Sequence, residues 1–317
     1  MDIHIINDLI SHHHLTPTTI TPVSGGWLNR KWKLVTPTGA YLVKQFSYER
    51  FSEEKLSHIE SALRMANLVH EAGIPTPRML SLNSAIIRRP AEGIAYMVMT
   101  WCEGETITAR NVTPAQMRSL GKACGQMHRV FEALPCEGVL HYPLAGARVY
   151  ETLSRHIAGL SDGSGGADGE INPGAWSIST KELLRVLDSV SPEYFDVQRR
   201  SVCHEDFSAD NLLFSGDALS AIVDFDRVQY SYPLHDVGRA LLSLAFDGNG
   251  LREEYVRAFA DGYAVFRPLT ADDTEHALRL TWCLEVPWWV HPGITEAASP
   301  KVKRFYEEMQ FLTQYLK

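Results

Sequence analysis

The sequence predicts an α+β protein of two lobes, a small antiparallel-sheet lobe followed by a larger, mainly helical one. Three observations carry that expectation. The chain has 317 residues, too many for one small core and suited to two. From Ile20 to Phe46 it alternates strand-forming runs with turn residues, and beyond Gly104 apolar residues recur at helical spacing. The change of character places the boundary near Cys102, giving residues 1–102 and 103–317. At 45% hydrophobic residues the chain can fill such cores.

In the first part, Ser24-Gly25-Gly26 and Thr36-Pro37-Thr38-Gly39 are turns. Trp32 to Val35 and Tyr41 to Lys44 are strands by composition. A helix follows from Glu53 to Ala72, with Ser52 as N-cap, Glu53 and Glu54 in the first turn and Gly73 as its stop. Leu56, Ile59, Leu63 and Ala66 share one face, and Glu60 lies within it. Gly73 to Pro77 cannot continue a helix. Ala95 to Met99 is a buried strand, left through Thr100-Trp101-Cys102-Glu103-Gly104.

The second part holds a helix from Met117 to Phe131, in which His128 is expected to pack in the core. Gly159 to Ala175, rich in Gly, Ser and Asp, is expected as a surface loop between helices. A helix is expected from Arg239 to Phe246. Near the end stand Tyr255, Tyr263, Trp282, Trp288, Trp289 and Glu285. Such aromatics ordinarily pack a core; the sharper alternative is a pocket in which they and Glu285 receive a cation.

The chemistry concentrates in Ser201 to Arg227. Leu212 to Phe214 and Ala218 to Val223 form a hairpin about Ser215-Gly216-Asp217, which returns Asp224 beside Asn211. Asp206, Asn211 and Asp224 so gathered are oxygen donors for a hard cation such as Mg²⁺, with phosphates completing its shell. That combination points to phosphoryl transfer.

His204-x-Asp206-x4-Asn211 followed by Ile222 to Asp226 (IVDFD) resembles the aminoglycoside phosphotransferase and choline kinase family, small-molecule kinases with a protein-kinase-like fold. The resemblance implies Asp206 as catalytic base, Asn211 and Asp224 as Mg²⁺ ligands, His204 as a brace and Asp236 as a support for the catalytic loop. It implies that Gly25, Gly26 and Asn29 cover the nucleotide phosphates, that Lys44 fixes them, and that Thr100 and Cys102 meet adenine through backbone groups. Glu60, an acid on an apolar face, needs a partner; Lys44 is the expected one, with Glu53 the rival carboxylate. One departure is visible: Glu205 stands where the family usually has Gly.

The family implies ATP as donor, with GTP open, and a small hydroxylated acceptor: aminoglycoside, choline-like amino alcohol, homoserine or sugar, some of them cationic. The short link after Asp224 lacks the activation segment of protein kinases and disfavours a protein substrate. A degenerate, nucleotide-binding scaffold is the alternative of a different class; it would lack one of Lys44, Asp206, Asn211 or Asp224, and all are present. A net charge of −8 disfavours nucleic acid, and no apolar stretch nears membrane-spanning length. The five cysteines are scattered without a C-x-x-C pair, so free thiols in a reducing cytoplasm are expected. His12, His13 and His14 point in different directions on a helix and are expected as a solvated helix end.

Overall fold

The computed structural model describes residues 1–23, 29–134, 138–141, 145–163, 170–171, 177–294 and 298–316. The first lobe comprises α1 (Ile3–Ser11), β1 (Thr19–Pro22), β2 (Arg30–Thr36), β3 (Gly39–Phe46), α2 (Glu53–Glu71), β4 (Arg88–Ala91) and β5 (Ile94–Thr100). Its five strands pair antiparallel in the order β1-β2-β3-β5-β4. The period of two sorts their side chains. Trp32, Leu34 and Val43 face Ile5 and Leu9 of α1 in one apolar cluster, while Lys31 and Lys33 of β2 lie opposite Lys44 and Leu42 of β3 on the other face. α1 is tied to the sheet by Asp8, which takes two hydrogen bonds from Arg88 at 3.0 Å and one from the Tyr96 hydroxyl at 2.7 Å. His12 closes that helix on Asp8 at 2.8 Å and is exposed.

The helix α2 keeps the expected bounds. Ser52 caps Lys55 N at 3.3 Å, and Gly73 leaves the helix at φ +80°, the left-handed region that suits glycine.

The strand β6 (Glu105–Thr106) then pairs with β10 (Leu212–Ser215), which pairs with β11 (Ala218–Ile222), so the segment leaving the first sheet is bonded directly to the hairpin. Gly104 makes this join possible. At φ +130°, a Cβ there would stand 2.2 Å from Ser220 Oγ.

The remaining elements are α3 (Pro114–Ala133), α4 (Gly146–Gly163), β7 (Glu170–Ile171), β8 (Ile178–Ser179), α5 (Thr180–Leu187), α6 (Pro192–Asp196), β9 (Ser201–Cys203), β12 (Gln229–Ser231), α7 (Pro233–Leu244), α8 (Glu253–Tyr263), α9 (Ala271–Trp289) and α10 (Pro300–Tyr315). α3 and α8 lie backbone to backbone, since a Cβ on Gly121 would meet the Phe259 carbonyl at 2.0 Å. An antiparallel sheet lobe thus precedes a helical lobe.

Two expected boundaries move. Gly159 to Gly163 continue α4, and Glu170–Ile171 pair with Ile178–Ser179; the rest of the Gly159–Ala175 stretch lies outside the described residues. α7 begins at Pro233, six residues before Arg239, because proline at a first helical position needs no partner for an N–H it lacks. Asp236 and His235 therefore sit in its first turn and project toward β9.

Candidate active site

The loop from His204 to Asn211 leaves β9 and enters β10 through a 3₁₀ turn, Ala209–Asn211. Its backbone is held from three sides. Asp236, fully buried, accepts His204 N at 2.7 Å and Glu205 N at 2.8 Å, and its Oδ2 also meets His128 Nε2 at 3.0 Å. The other nitrogen of His128 lies 2.9 Å from the Tyr263 hydroxyl, so this histidine is a packed link and not a base. His204 accepts Asp206 N at Nδ1, 3.3 Å, and donates from Nε2 to the Val223 carbonyl at 3.2 Å. One neutral tautomer satisfies both bonds. Its ring is packed edge-on against Phe207 and Phe225. Asn211 donates from Nδ2 to the Asp206 carbonyl at 2.8 Å, and its own carbonyl takes Val223 N at 2.9 Å.

These bonds place Asn211 beside the Asp206 backbone and beside Val223, the neighbour of Asp224, where the hairpin spacing predicts it. The Asp206 side chain is half-buried and makes no hydrogen bond or ion pair among the described residues. Asp224 adopts φ +65°, a left-handed turn, and its carboxylate meets Lys44 at 2.8 Å and Lys31 at 3.4 Å on the first sheet. Burial alone would raise its pKa, but the ammonium groups of Lys44 and Lys31 outweigh that and hold the carboxyl well below its usual range. Asn211 spends Nδ2 on the backbone, leaving Oδ1 as an oxygen donor beside an ionised carboxylate. That pair suits Mg²⁺, which takes one or two protein oxygens and leaves its other positions to phosphate and water.

Lys44 differs from its expected pairing. Its buried ammonium lies 2.8 Å from Asp224 Oδ1 and 2.5 Å from Asp226 Oδ2. Burial would lower its pKa, yet the two acids raise it above the ordinary lysine value. Glu60 is not its partner here. Glu60 Oε1 instead accepts Ile86 N at 2.8 Å and Arg64 at 2.9 Å, which fastens α2 to the chain before β4. Glu53, the rival, takes Tyr48 and Arg89 at the protein surface. The apolar face of α2 did need a partner for Glu60, but a backbone amide supplies it.

Thr100 ends β5, its N–H given to the Arg78 carbonyl at 3.0 Å, and the Cys102 amide has no backbone partner among the described residues. Burial pushes the Cys102 thiol up to about 11, which suits an inert side chain. Asn29 carries a buried Oδ1 without a partner among the described residues. Gly25 and Gly26 lie outside the described residues.

A chain of charges that the sequence did not disclose, buried from Glu205 to Glu308, begins beside Asp206. Glu205 sits at φ +64°, the conformation that makes glycine usual at this place. Its carboxylate accepts Gln229 Nε2 at 2.9 Å and Cys203 Sγ at 3.3 Å, and faces His235 Nδ1 at 3.6 Å. His235 Nε2 lies 3.0 Å from Glu285 Oε1, whose Oε2 takes Arg239 at 2.5 Å. Arg239 also bonds Glu308 of α10, and Arg304 lies 3.6 Å from Glu308 and 3.4 Å from Asp210. Lys301 closes on Asp210 at 2.7 Å. Burial opposes the charge on His235, but Glu205 and Glu285 push its pKa up to about 10; Glu205 is held down at about 2, against its burial, by His235, Ser231 and Gln229.

Glu285 thus has both oxygens engaged and does not face an open aromatic pocket. Trp282 is fully buried with Nε1 on Thr313, Trp289 stacks on Phe305 at 4.3 Å, and Trp288 is exposed. The core reading of these aromatics holds for Trp282 and Trp289.

Residues 19–269 match the Phosphotransferase enzyme family. The chain belongs to that family. This phosphotransferase is 26% identical over 269 residues to a protein of Methylobacillus flagellatus named homoserine kinase, spanning 80% of this chain and 72% of that one. The homoserine kinase of Methylobacillus glycogenes is 25% identical over 267 residues, with the same coverage. Among solved structures, an amicoumacin kinase in complex with AMP-PNP and Ca²⁺ superposes with a TM-score of 0.64 at 14% identity, covering 96% of this chain and 92% of that one. A spectinomycin phosphotransferase in complex with ADP and spectinomycin gives 0.62 at 14% identity, covering 98% and 96%. The fold is therefore that of the protein-kinase-like small-molecule kinases, and the protein is an enzyme of that class, a nucleotide-binding phosphotransferase with a small-molecule acceptor. No helix among the described residues is long and apolar enough to cross a membrane.

Proposed function

We propose that this enzyme transfers the γ-phosphoryl group of ATP, with Mg²⁺, to a hydroxyl of a small amino acid or amino alcohol, of which homoserine is the first to test. The observation that carries the reading is the free Asp206 carboxylate in a loop whose backbone is otherwise fastened, next to Asn211 Oδ1 and an ionised Asp224. Asp206 orients the acceptor hydroxyl and takes its proton. Asn211 and Asp224 would hold the metal, which when bound would neutralise charge on the transferring phosphoryl group. Lys44 turns from the two acids to the phosphates, helped by Gly25, Gly26 and Asn29. Thr100 has given up its N–H, so its carbonyl and the Cys102 amide meet adenine. With the division near Cys102, residues 1–102 serve as the nucleotide-binding lobe and 103–317 as the catalytic and substrate-binding lobe.

The homoserine kinase names among the relatives favour an amino-acid hydroxyl over an aminoglycoside or a sugar. Purified enzyme with Mg²⁺-ATP should release ADP in the presence of homoserine, and the same panel should include choline, kanamycin, spectinomycin, glucose and GTP as donor. ADP release that depends on an aminoglycoside or sugar but not on homoserine would overturn the acceptor assignment. Absence of Mg²⁺-dependent ATP binding would overturn the reaction.

A further inference from the structure

We propose that Lys31 is a second phosphate-binding cation of the nucleotide site, acting beside Lys44. The inference rests on the phosphotransferase reading above and adds a residue that the sequence pattern does not single out. Lys31 and Lys44 are directly opposed across β2 and β3, so their side chains leave the sheet on the same face. Both reach the same carboxylate: Lys31 lies 3.4 Å from Asp224 Oδ2 and Lys44 lies 2.8 Å from Oδ1.

The face of β2 fixes where along a nucleotide Lys31 falls. Lys33, two residues on, stands with Nζ 4.1 Å from the Trp101 ring centre and 3.7 Å from Glu103 Oε1, at the segment that leaves β5. Lys31 is at the other end, against Asp224. Successive same-face residues are about 7 Å apart, so the stripe runs from the adenine end to the metal end. Lys31 therefore meets phosphate and Lys33 does not.

Like charges directly opposite each other on a sheet destabilise it. Among the described residues Lys31 has only Asp224 within ion-pair distance, and that carboxylate already has Lys44 on its other oxygen. A ligand that engages Asp224 takes the ion-pair partner of Lys31 and leaves Lys44 with Asp226, two cations on one face of the sheet, suited to an anion of several charges and not to a neutral one. The Lys31 side chain is 18% exposed and Lys44 3%, so Lys31 is the one an incoming anion reaches first.

Calorimetric titration of wild type, Lys31→Met, Lys31→Arg and Lys33→Met with adenosine, ADP and Mg²⁺-ATP tests the proposal. Lys31→Met should weaken ATP by on the order of ten- to a hundredfold, the strength of one charge-assisted hydrogen bond. ADP should weaken less and adenosine not at all. Lys31→Arg should bind ATP within a few-fold of wild type, and Lys33→Met should show no dependence on phosphate number. Methionine preserves the aliphatic stem, and the unchanged adenosine affinity reports an intact fold. Unchanged ATP affinity in Lys31→Met, or an equal loss for all three ligands, would overturn the role of Lys31 while wild-type ATP binding upholds the nucleotide site. Wild type that binds neither ATP nor adenosine would overturn both.

Discussion

The pairing of His235 with Glu205 and Glu285 makes a quantitative demand on stability as pH changes. His235 is 5% exposed, and its pKa is raised from 6.5 to about 10. Between those values the folded protein holds a proton that the unfolded chain has lost. The unfolding free energy must therefore fall with rising pH, by about 1.4 kcal/mol per unit. The contribution is complete below pH 6.5 and is gone above about pH 10, so at most about 5 kcal/mol is at stake and about 3 kcal/mol between pH 7 and 9. Glu205 acts at the other end. Its pKa is lowered from 4.5 to about 2, so its share is present above pH 4.5 and is lost as pH falls toward 2. The two describe one ion pair and are not added; together they place a plateau near pH 4.5–6.5.

His235→Gln keeps a donor for Glu285 but cannot titrate. It should cost about 3–5 kcal/mol at pH 7, because Glu205 and Glu285 lose a buried cation. The assay is urea unfolding of both proteins at pH 6.5, 7.5, 8.5 and 9.5, followed by tryptophan fluorescence. The difference between them should shrink by about 1.4 kcal/mol per pH unit. Lysine and cysteine ionisations, including that of buried Cys203 beside Glu205, occur in both proteins and cancel in the difference. A gap that stays constant across the series would show that His235 is neutral in the folded state and refute the charge chain.

Three further outcomes are expected. Asp206→Asn should lower turnover about 10²–10⁴-fold with ATP affinity retained, read from steady-state rates and calorimetry. Lys44→Ala and Glu60→Ala should be additive in kcat/KM for ATP within about 0.5 kcal/mol, because each has its own partners, whereas Lys44→Ala and Asp226→Ala should not be. Gly121→Ala should lower stability by about 1–3 kcal/mol in urea unfolding, since the new Cβ would have to displace the Phe259 backbone.

The parts of the site that were legible in the sequence are those fixed by short-range geometry. The hairpin from Leu212 to Ile222 needs only a turn and two strands, and Gly216 at φ +57° supplies the turn. It returns Asp224 to Asn211 whatever surrounds it. The Ser52 cap and the Gly73 stop are equally local. What the sequence hid depends on distant segments. Glu60 lies on the inward face of its helix, as its spacing required, but spacing says nothing of which group meets it, and Ile86 N lies 26 residues on. The opposition of Lys31 to Lys44 follows from the register of β2 on β3, legible once the Thr36–Gly39 turn is taken as the pairing point. Lys301 and Arg304, which reach Asp210 from α10, had no local signal at all.

The two ends of the charge chain explain how a strained residue can stand next to Asp206. Glu205 at φ +64° costs about 1–2 kcal/mol relative to glycine, and glycine would also bring the amide that Asp236 binds. What glycine cannot bring is a carboxylate for His235. Through Glu285, Arg239, Glu308 and Arg304 that carboxylate is joined to Asp210, five residues along the same loop. The loop is therefore clamped at position 205 by α7 and α9 and at position 210 by α10, with Asp206 between. Because His204, Asp236 and Asn211 already hold the backbone at Asp206 and Glu205, the Asp206 carboxylate, without a partner among the described residues, is left free to move on a frame that is not. In the base role proposed for it, Asp206 would spend little reorganisation in meeting a hydroxyl, which is what a reaction catalysed chiefly by positioning requires.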